Sequence, residues 1–198
     1  MAVIIITPLA SETLRAVVLF LEKNSFSMAQ ILVAVVLCMV IGIPLGILAA
    51  VNNTFEAIIR PILDAMQTLP AFCYLIPVLM FFGGNVVSAV IAIMIYALPP
   101  VIRLTNLGIR EVSTEAIEAA TSFGSTFSQT LLKVKIPLAL PSIMMGVNQS
   151  MMMALAMLII TPLIGGGGIG REVFVGLSQA NTGQSLQAGL AIVFFAVV

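Results

Sequence analysis

The chain has 198 residues, 61% of them hydrophobic and 8% charged, with a mean hydropathy of +1.20, whereas soluble domains carry about a quarter charged residues. That excludes an ordinary soluble domain and points to an integral membrane protein. Eight basic residues balance eight acidic ones, so no bulk charge recruits nucleic acid; the absence of histidine removes the commonest general base, and two distant cysteines, Cys38 and Cys73, make neither a disulfide framework nor a Cys-rich metal site.

The opening residues, MAVIIITPLASETLR, lack a basic start and are interrupted by Glu12 and Arg15, which argues against a cleaved signal peptide. Residues 1–26 read as an interfacial helix or a partial span, and residues 27–198 as the membrane domain proper. A hydrocarbon core about 30 Å thick takes roughly 20 apolar helical residues. Stretches of this kind run from Met28 to Val51, Ala65 to Phe82, Val86 to Ile102 and Leu138 to Ile164. A last apolar run, Leu186 to Val198, is 13 residues long and too short to cross, so the chain is expected to end inside its last span. The expected fold class is all-α, a polytopic helical bundle of about five spans.

Basic residues are retained on the cytoplasmic side of a membrane. Arg60, Arg103, Arg110, Lys133 and Lys135 fall on one side of these spans, Lys23 and Arg171 on the other, which places the polar passage between the third and fourth spans in the cytoplasm. Pro44, Pro70, Pro77, Pro99, Pro100, Pro141 and Pro162 lie within the spans, where each removes a backbone donor and frees a carbonyl that must find a partner in a neighbouring helix or a water. The GIPLG stretch, Gly42 to Gly46, has the small-x-x-x-small spacing of closely approaching helices.

The polar passage is built rather than merely exposed. Between Glu111 and Ala120 the residues Val112, Ala116, Ala119 and Ala120 recur at helical spacing with Glu111, Glu115 and Glu118 interleaved, predicting a short amphipathic helix. Gly124 ends it. Ser125 or Thr126 caps a second helix, Thr126 with Gln129 fitting a capping box, and Phe127, Leu131 and Val134 continue that helix until Pro137 stops it.

Glu118-Ala119-Ala120, Gly124 and Val134-x-Ile136-Pro137 resemble the cytoplasmic EAA signature of binding-protein-dependent ABC importer permeases, with Val134 and Ile136 as conservative departures. The stretches DAMQTLPAFCYLIPVLMFFG, ALPPVIRLTNLGI and KVKIPLALPSIMMGVNQSMMMALAMLII are similar to the permeases of glycine betaine/proline importers, and the likeness covers roughly residues 27–190. The resemblance implies that the EAA element is a coupling helix that docks on a separate ATPase subunit. Glu118 would offer charge at the contact, Ala119 and Ala120 a thin surface, Gly124 the angle of the elbow, and Val134, Ile136 and Pro137 the start of rigid transmission into the fourth span. It implies as partners two ATPase subunits, an extracytoplasmic solute-binding protein, a second permease copy and the lipid of the inner membrane, with a compatible solute such as glycine betaine or proline as cargo.

The remaining features weigh differently. GGGGIG, Gly165 to Gly170, satisfies G-x-G-x-x-G, but a membrane span precedes it, so it reads as a flexible extracytoplasmic turn or re-entrant segment. No G-x-x-x-x-G-K-[ST] occurs, so no P-loop holds ATP in this chain, no cofactor is expected and no catalysis of its own. Asn148 and Gln149, mid-span, either make interhelical hydrogen bonds or, with Met152, line a solute path. With no tryptophan and only Tyr74 and Tyr96, an aromatic cage for a quaternary ammonium is better sought in a partner. A secondary transporter or channel is the main alternative, and a noncatalytic scaffold a second; the scarcity of intramembrane charge disfavours the former.

Overall fold

The computed structural model describes the backbone of residues 2–197 and the side chains of residues 22–193. The chain is helical: α1 (Ala2–Val51), α2 (Asn53–Thr68), α3 (Phe72–Phe82), α4 (Val86–Arg110), α5 (Thr114–Ser122), α6 (Phe127–Thr130), α7 (Ile136–Leu158), α8 (Ile169–Ser178) and α9 (Thr182–Val197). A π turn, Leu131–Lys135, joins α6 to α7, and a 3-10 turn, Thr161–Ile164, follows α7.

Three helical stretches are long and apolar enough to cross a membrane, Glu22–Val51, Val86–Arg110 and Phe127–Leu158, or four spans if the bent pair α2 and α3 is one. Among the described residues the candidate spans number three or four, against the expected count of about five. The span expected at Ala65 to Phe82 is broken, with α2 and α3 meeting at 101°. Pro70 is the cause: it disfavours the helical conformation at Leu69, which is extended at φ −72° and ψ 135°. The Tyr74 hydroxyl bridges the bend by donating to the Met66 carbonyl. Since α1 is continuous from Ala2, the backbone shows no boundary at residue 26; the side chains of residues 2–21 lie outside the described residues.

α4 is the centre of the bundle, with α1 on one side and α7 on another. Its buried stripe, including Ala89, Ala92, Ile93, Ala97, Val101 and Thr105, packs against Ile31, Ala34, Val35 and Cys38 of α1 and Ala154, Leu155 and Leu158 of α7. Lipid tails are as apolar as leucine, so such helices associate by close packing rather than by hydrophobic exclusion from water. The GIPLG glycines supply it: a Cβ on Gly46 would lie 2.5 Å from Thr105 Cβ and 2.8 Å from the Ile102 carbonyl, and one on Gly42 2.9 Å from Val101 Cγ1. On the other side a Cβ on Gly146 would lie 3.2 Å from the Pro100 carbonyl. Two carbonyls of α4 near the Pro99–Pro100 pair take donors from neighbouring helices: Cys38 Sγ reaches Met94 O at 3.3 Å and Ser150 Oγ reaches Ala97 O at 2.5 Å.

At the far end from the polar passage, the tetraglycine segment is packed, which corrects its expectation as a flexible turn. Gly165 (φ +85°) lies against the Gly84–Asn85 backbone, Gly168 (φ +81°) against Ser27, and a Cβ on Gly170 would sit 2.1 Å from the Leu158 carbonyl. Ser27 Oγ accepts from the Ile169 N–H at 2.8 Å. Four glycines appear because several chain segments converge where no side chain fits. The same end is tied by an ion pair between Lys23 on α1 and Glu172 on α8, with Gln184 of α9 donating to the other carboxylate oxygen at 2.6 Å. The Lys23 ammonium holds the Glu172 carboxyl below its ordinary value of 4.5, against the opposing effect of burial and with help from Gln184 and Arg171.

Two outcomes are expected. Gly46→Leu should destabilise the detergent-solubilised protein by about 1–3 kcal/mol, the usual cost of overpacking, measured as a fall in thermal unfolding temperature, while Val40→Leu on the exposed face of α1 should not. Glu172 has the depressed folded-state pKa, so its tie contributes in full above the unfolded carboxylate's pKa and is lost as pH falls through the folded one. Glu172→Gln should unfold at lower temperature than wild type at neutral pH, with the gap closing below about pH 4.

Candidate functional site

The polar passage forms an elbow outside the bundle. α4 runs on to Arg110 and is capped by Glu111, so Glu111 closes the preceding span and does not open the short helix. α5 begins at Thr114 because Ser113 is its N-cap, Oγ accepting from the Ala116 N–H at 3.4 Å. That cap was readable in the sequence as Ser-Thr-Glu ahead of an alanine-rich turn.

α5 ends in a Schellman motif around Gly124, whose φ is +77°. The Gly124 N–H donates to Thr121 O at 2.9 Å and the Ser125 N–H to Ala120 O at 3.2 Å. No atom lies within 4 Å of a Cβ at Gly124, so glycine is required there by the left-handed backbone and not by crowding. Thr126 then caps α6 in the expected capping box: its Oγ1 accepts from the Gln129 N–H at 3.4 Å and its own N–H donates to Gln129 Oε1 at 2.9 Å. Ser125, the other candidate cap, instead donates to the Ala120 carbonyl at 2.5 Å and shares a hydrogen bond with Thr130 Oγ1. Both sides of the turn are therefore fixed by hydrogen bonds.

Pro137 does not stop the helix, contrary to expectation; Phe127–Leu158 is continuous. The chain relaxes into the π turn just before it, where the Ile136 N–H bonds Leu131 O five residues back. Proline at this position lacks the N–H that would have continued the α register, and a one-residue widening accommodates it. Leu131 and Ile136 pack on the cluster of Ile109, Ala139 and Ile143, together with Ile43, Ile47 and Ala50. The elbow is thereby joined to the ends of α1 and α4 as well as to its own span.

α5 itself stands away from the bundle. None of its residues is buried, Glu118 and Ala119 are exposed, Ala120 is half-buried, and Phe123 just beyond is 93% exposed. A cavity of about 250 Å³ lined by Ile117, Thr121, Ser125, Phe127, Thr130, Leu131 and Lys135 separates α5 from the π turn. Val134 is half-buried and Pro137 exposed. The motif residues thus divide: Glu118, Ala119 and Gly124 face outward on the elbow, whereas Ile136 anchors it.

The second set of candidates lies elsewhere. Asn148, Gln149 and Met152 share an exposed face of α7 with Met144 and Met145, far along the helix from the elbow. The interhelical hydrogen bonds anticipated for the two amides are not made within the described residues. A polar cluster at the elbow end is not anticipated by the sequence pattern: Asp64 pairs with Arg103 of α4, and Glu56 lies 3.1 Å from Arg110. Helical spacing of Glu56, Arg60 and Asp64 on α2 was its available signal. Among the described residues no group of His, Cys, Asp and Glu could hold a metal ion. Tyr74 and Tyr96 pack edge-to-face on each other, centroids 5.8 Å apart, rather than forming an open cage.

Comparison with known proteins fits this architecture. The chain is 48% identical over 179 residues to the glycine betaine/carnitine transport permease protein GbuB of Listeria monocytogenes, covering 90% of this chain and 64% of that protein. It is 48% identical over 172 residues to the glycine betaine/proline betaine transport system permease protein ProW of Escherichia coli, covering 87% of this chain and 49% of that one. The chain thus spans about half to just under two thirds of the length of these relatives. Its fold matches the inward-facing MetNI methionine ABC transporter with a TM-score of 0.80 at 20% identity, over 91% of this chain and 89% of that one. The family model of the binding-protein-dependent transport system inner membrane component matches residues 42–198, and the chain belongs to that family of multi-span membrane permeases.

Proposed function

We propose that this chain is the permease subunit of an ATP-driven importer for glycine betaine and related compatible solutes, with α5 as the helix that couples it to an ATPase. The observation that carries the proposal is α5: a helix outside the spans with none of its residues buried, set at a fixed angle by the Gly124 turn and the Thr126 capping box. A connector would have no need of such rigidity. A lever does, because it must deliver displacement without bending.

In this reading an ATPase subunit grips α5 through Glu118 and the small surface of Ala119 and Ala120, and Phe123 fills an apolar site on the same partner. Closure of the ATPase pair moves α5. The movement enters α7 through Ile136 and Leu131, which bear on the ends of α1 and α4, and the bundle changes between two packed arrangements. ATP is held by the partner and this chain performs no chemistry. An extracytoplasmic binding protein delivers the solute. A second copy of the permease faces the exposed stripe of α7, where Asn148, Gln149 and Met152 line a weak path; unpaired amides are costly against lipid but not against a hydrated passage. The cargoes for which these relatives are named, glycine betaine, carnitine and proline betaine, support a zwitterionic substrate class.

Reconstituted vesicles containing the whole importer test the lever. Gly124→Val should leave insertion and assembly intact but lower solute uptake at least tenfold relative to ATP hydrolysis, because a β-branched residue costs about 1–2 kcal/mol in the left-handed region and changes the elbow angle. Gly124→Asn, which tolerates that region, should retain most coupling. Unaltered coupling in Gly124→Val would overturn the role assigned to the elbow.

A further inference from the structure

The seam between α2 and α4 carries charge that the elbow does not use. α2 presents Glu56, Arg60 and Asp64 at successive turns, the spacing at which Arg60 would pair with either acid on an isolated helix. Both acids are engaged by α4 instead. Arg110 lies 3.1 Å from Glu56, Asn106 Nδ2 also reaches Glu56 at 3.2 Å, and Arg103 pairs with Asp64. Arg110 is held further by the Ala49 carbonyl at 2.9 Å and Asn53 Oδ1 at 2.8 Å, so it is not free to move to another partner.

Arg60 is left with neither an ion pair nor a hydrogen bond among the described residues. It lines a wedge of about 240 Å³ between the two helices, together with Glu56, Asp64, Arg103 and Asn106 and an apolar floor that includes Leu63 and Ile102. The opposite face of α2, with Ile58 60% and Ile62 53% exposed, is apolar. The charged face of α2 lies along the seam with α4, with Arg60 and Asp64 still exposed at its mouth, and the group of Arg60, Arg103 and Arg110 against Glu56 and Asp64 has one positive charge in excess. The wedge is open at the elbow end of the bundle, so a soluble ligand can reach Arg60 without crossing apolar packing.

We propose that this wedge is a binding station for a small zwitterion, whose carboxylate sits on Arg60 and whose cationic end lies toward the Glu56 and Asp64 carboxylates. A simple cation meets an unmatched guanidinium, and a simple anion engages Arg60 but gains nothing from Glu56 and Asp64, which Arg110 and Arg103 only partly neutralise. A solute carrying both charges a few ångströms apart satisfies both, and a guanidinium grips a carboxylate through paired N–H donors. The inference rests on the importer reading and deepens it by placing a solute contact at the elbow end of the bundle, separate from the α7 stripe.

The test uses the whole importer in nanodiscs, without ATP or binding protein, and measures binding of radiolabelled glycine betaine, with uptake by vesicles measured in parallel. Wild type should bind saturably. Proline betaine should compete and choline, which lacks the carboxylate, should not. Arg60→Gln, eluting as wild type does on gel filtration, should weaken binding at least tenfold, and Arg60→Lys should weaken it less. The proposal fails if wild type imports but does not bind, if Arg60→Gln binds as wild type does, or if choline competes equally. It also fails if Arg60→Gln loses a copurifying phospholipid while solute binding is unchanged, since the wedge would then hold a headgroup phosphate. Absence of uptake by wild type would instead defeat the importer reading itself.

Discussion

The backbone of α4 lies so close to its neighbours that at several points no side chain fits between them, and the remaining architecture depends on this contact. Gly46 meets Thr105 and the Ile102 carbonyl, Gly146 meets the Pro100 carbonyl, and Gly108 meets Ser142. In lipid there is little hydrophobic gain from joining two apolar helices, so dispersion at close range must hold them. Such a core does not deform gradually. It either keeps its packing or moves to another, which suits the two-state alternation proposed for this chain.

In the proposed importer, force must reach this core undiminished, and the elbow is built in a way that could carry it. The Schellman turn at Gly124 and the capping box at Thr126 satisfy backbone groups on both sides of the bend. The π turn before Pro137 then carries the helix without a break into α7. Leu131 and Ile136 close the connection by packing with Ile109 of α4 and Ile47 of α1. Each part answers a local requirement of the backbone, and together they make one rigid path from an exposed helix to the centre of the bundle.

The few charges are placed at the two ends of this assembly. Lys23 and Glu172 tie α1 to α8 where the glycine seam closes one end. Arg103 and Arg110 hold α2 to α4 at the other. α2 buries only Leu63 among its residues and meets α4 through these ion pairs and the hydrogen bond from Asn106 to Glu56. The polar wedge and the apolar outer face of α2 are two consequences of the same arrangement.

The linear pattern of residues was enough to read the membrane class, the helical fold, the polar elbow with its glycine turn and capping box, and the close approach at GIPLG. Each is a local or periodic property: charge-free length, a left-handed position, a three-residue capping interval, a small-residue spacing. The rest depends on which segments meet in space. Pro70 breaks a stretch that composition reads as one span, while Pro137 is absorbed by a π turn, and proline carries the same symbol in both places. Likewise GGGGIG reads as a loose turn until the carbonyl of Leu158 and the hydroxyl of Ser27 are brought against it. Arg60, Asp64 and Arg103 are scattered basic and acidic letters until α2 and α4 are set side by side. Partner choice among charges and the space left around a glycine depend on segments distant in the chain, and a linear pattern does not encode which of them will meet.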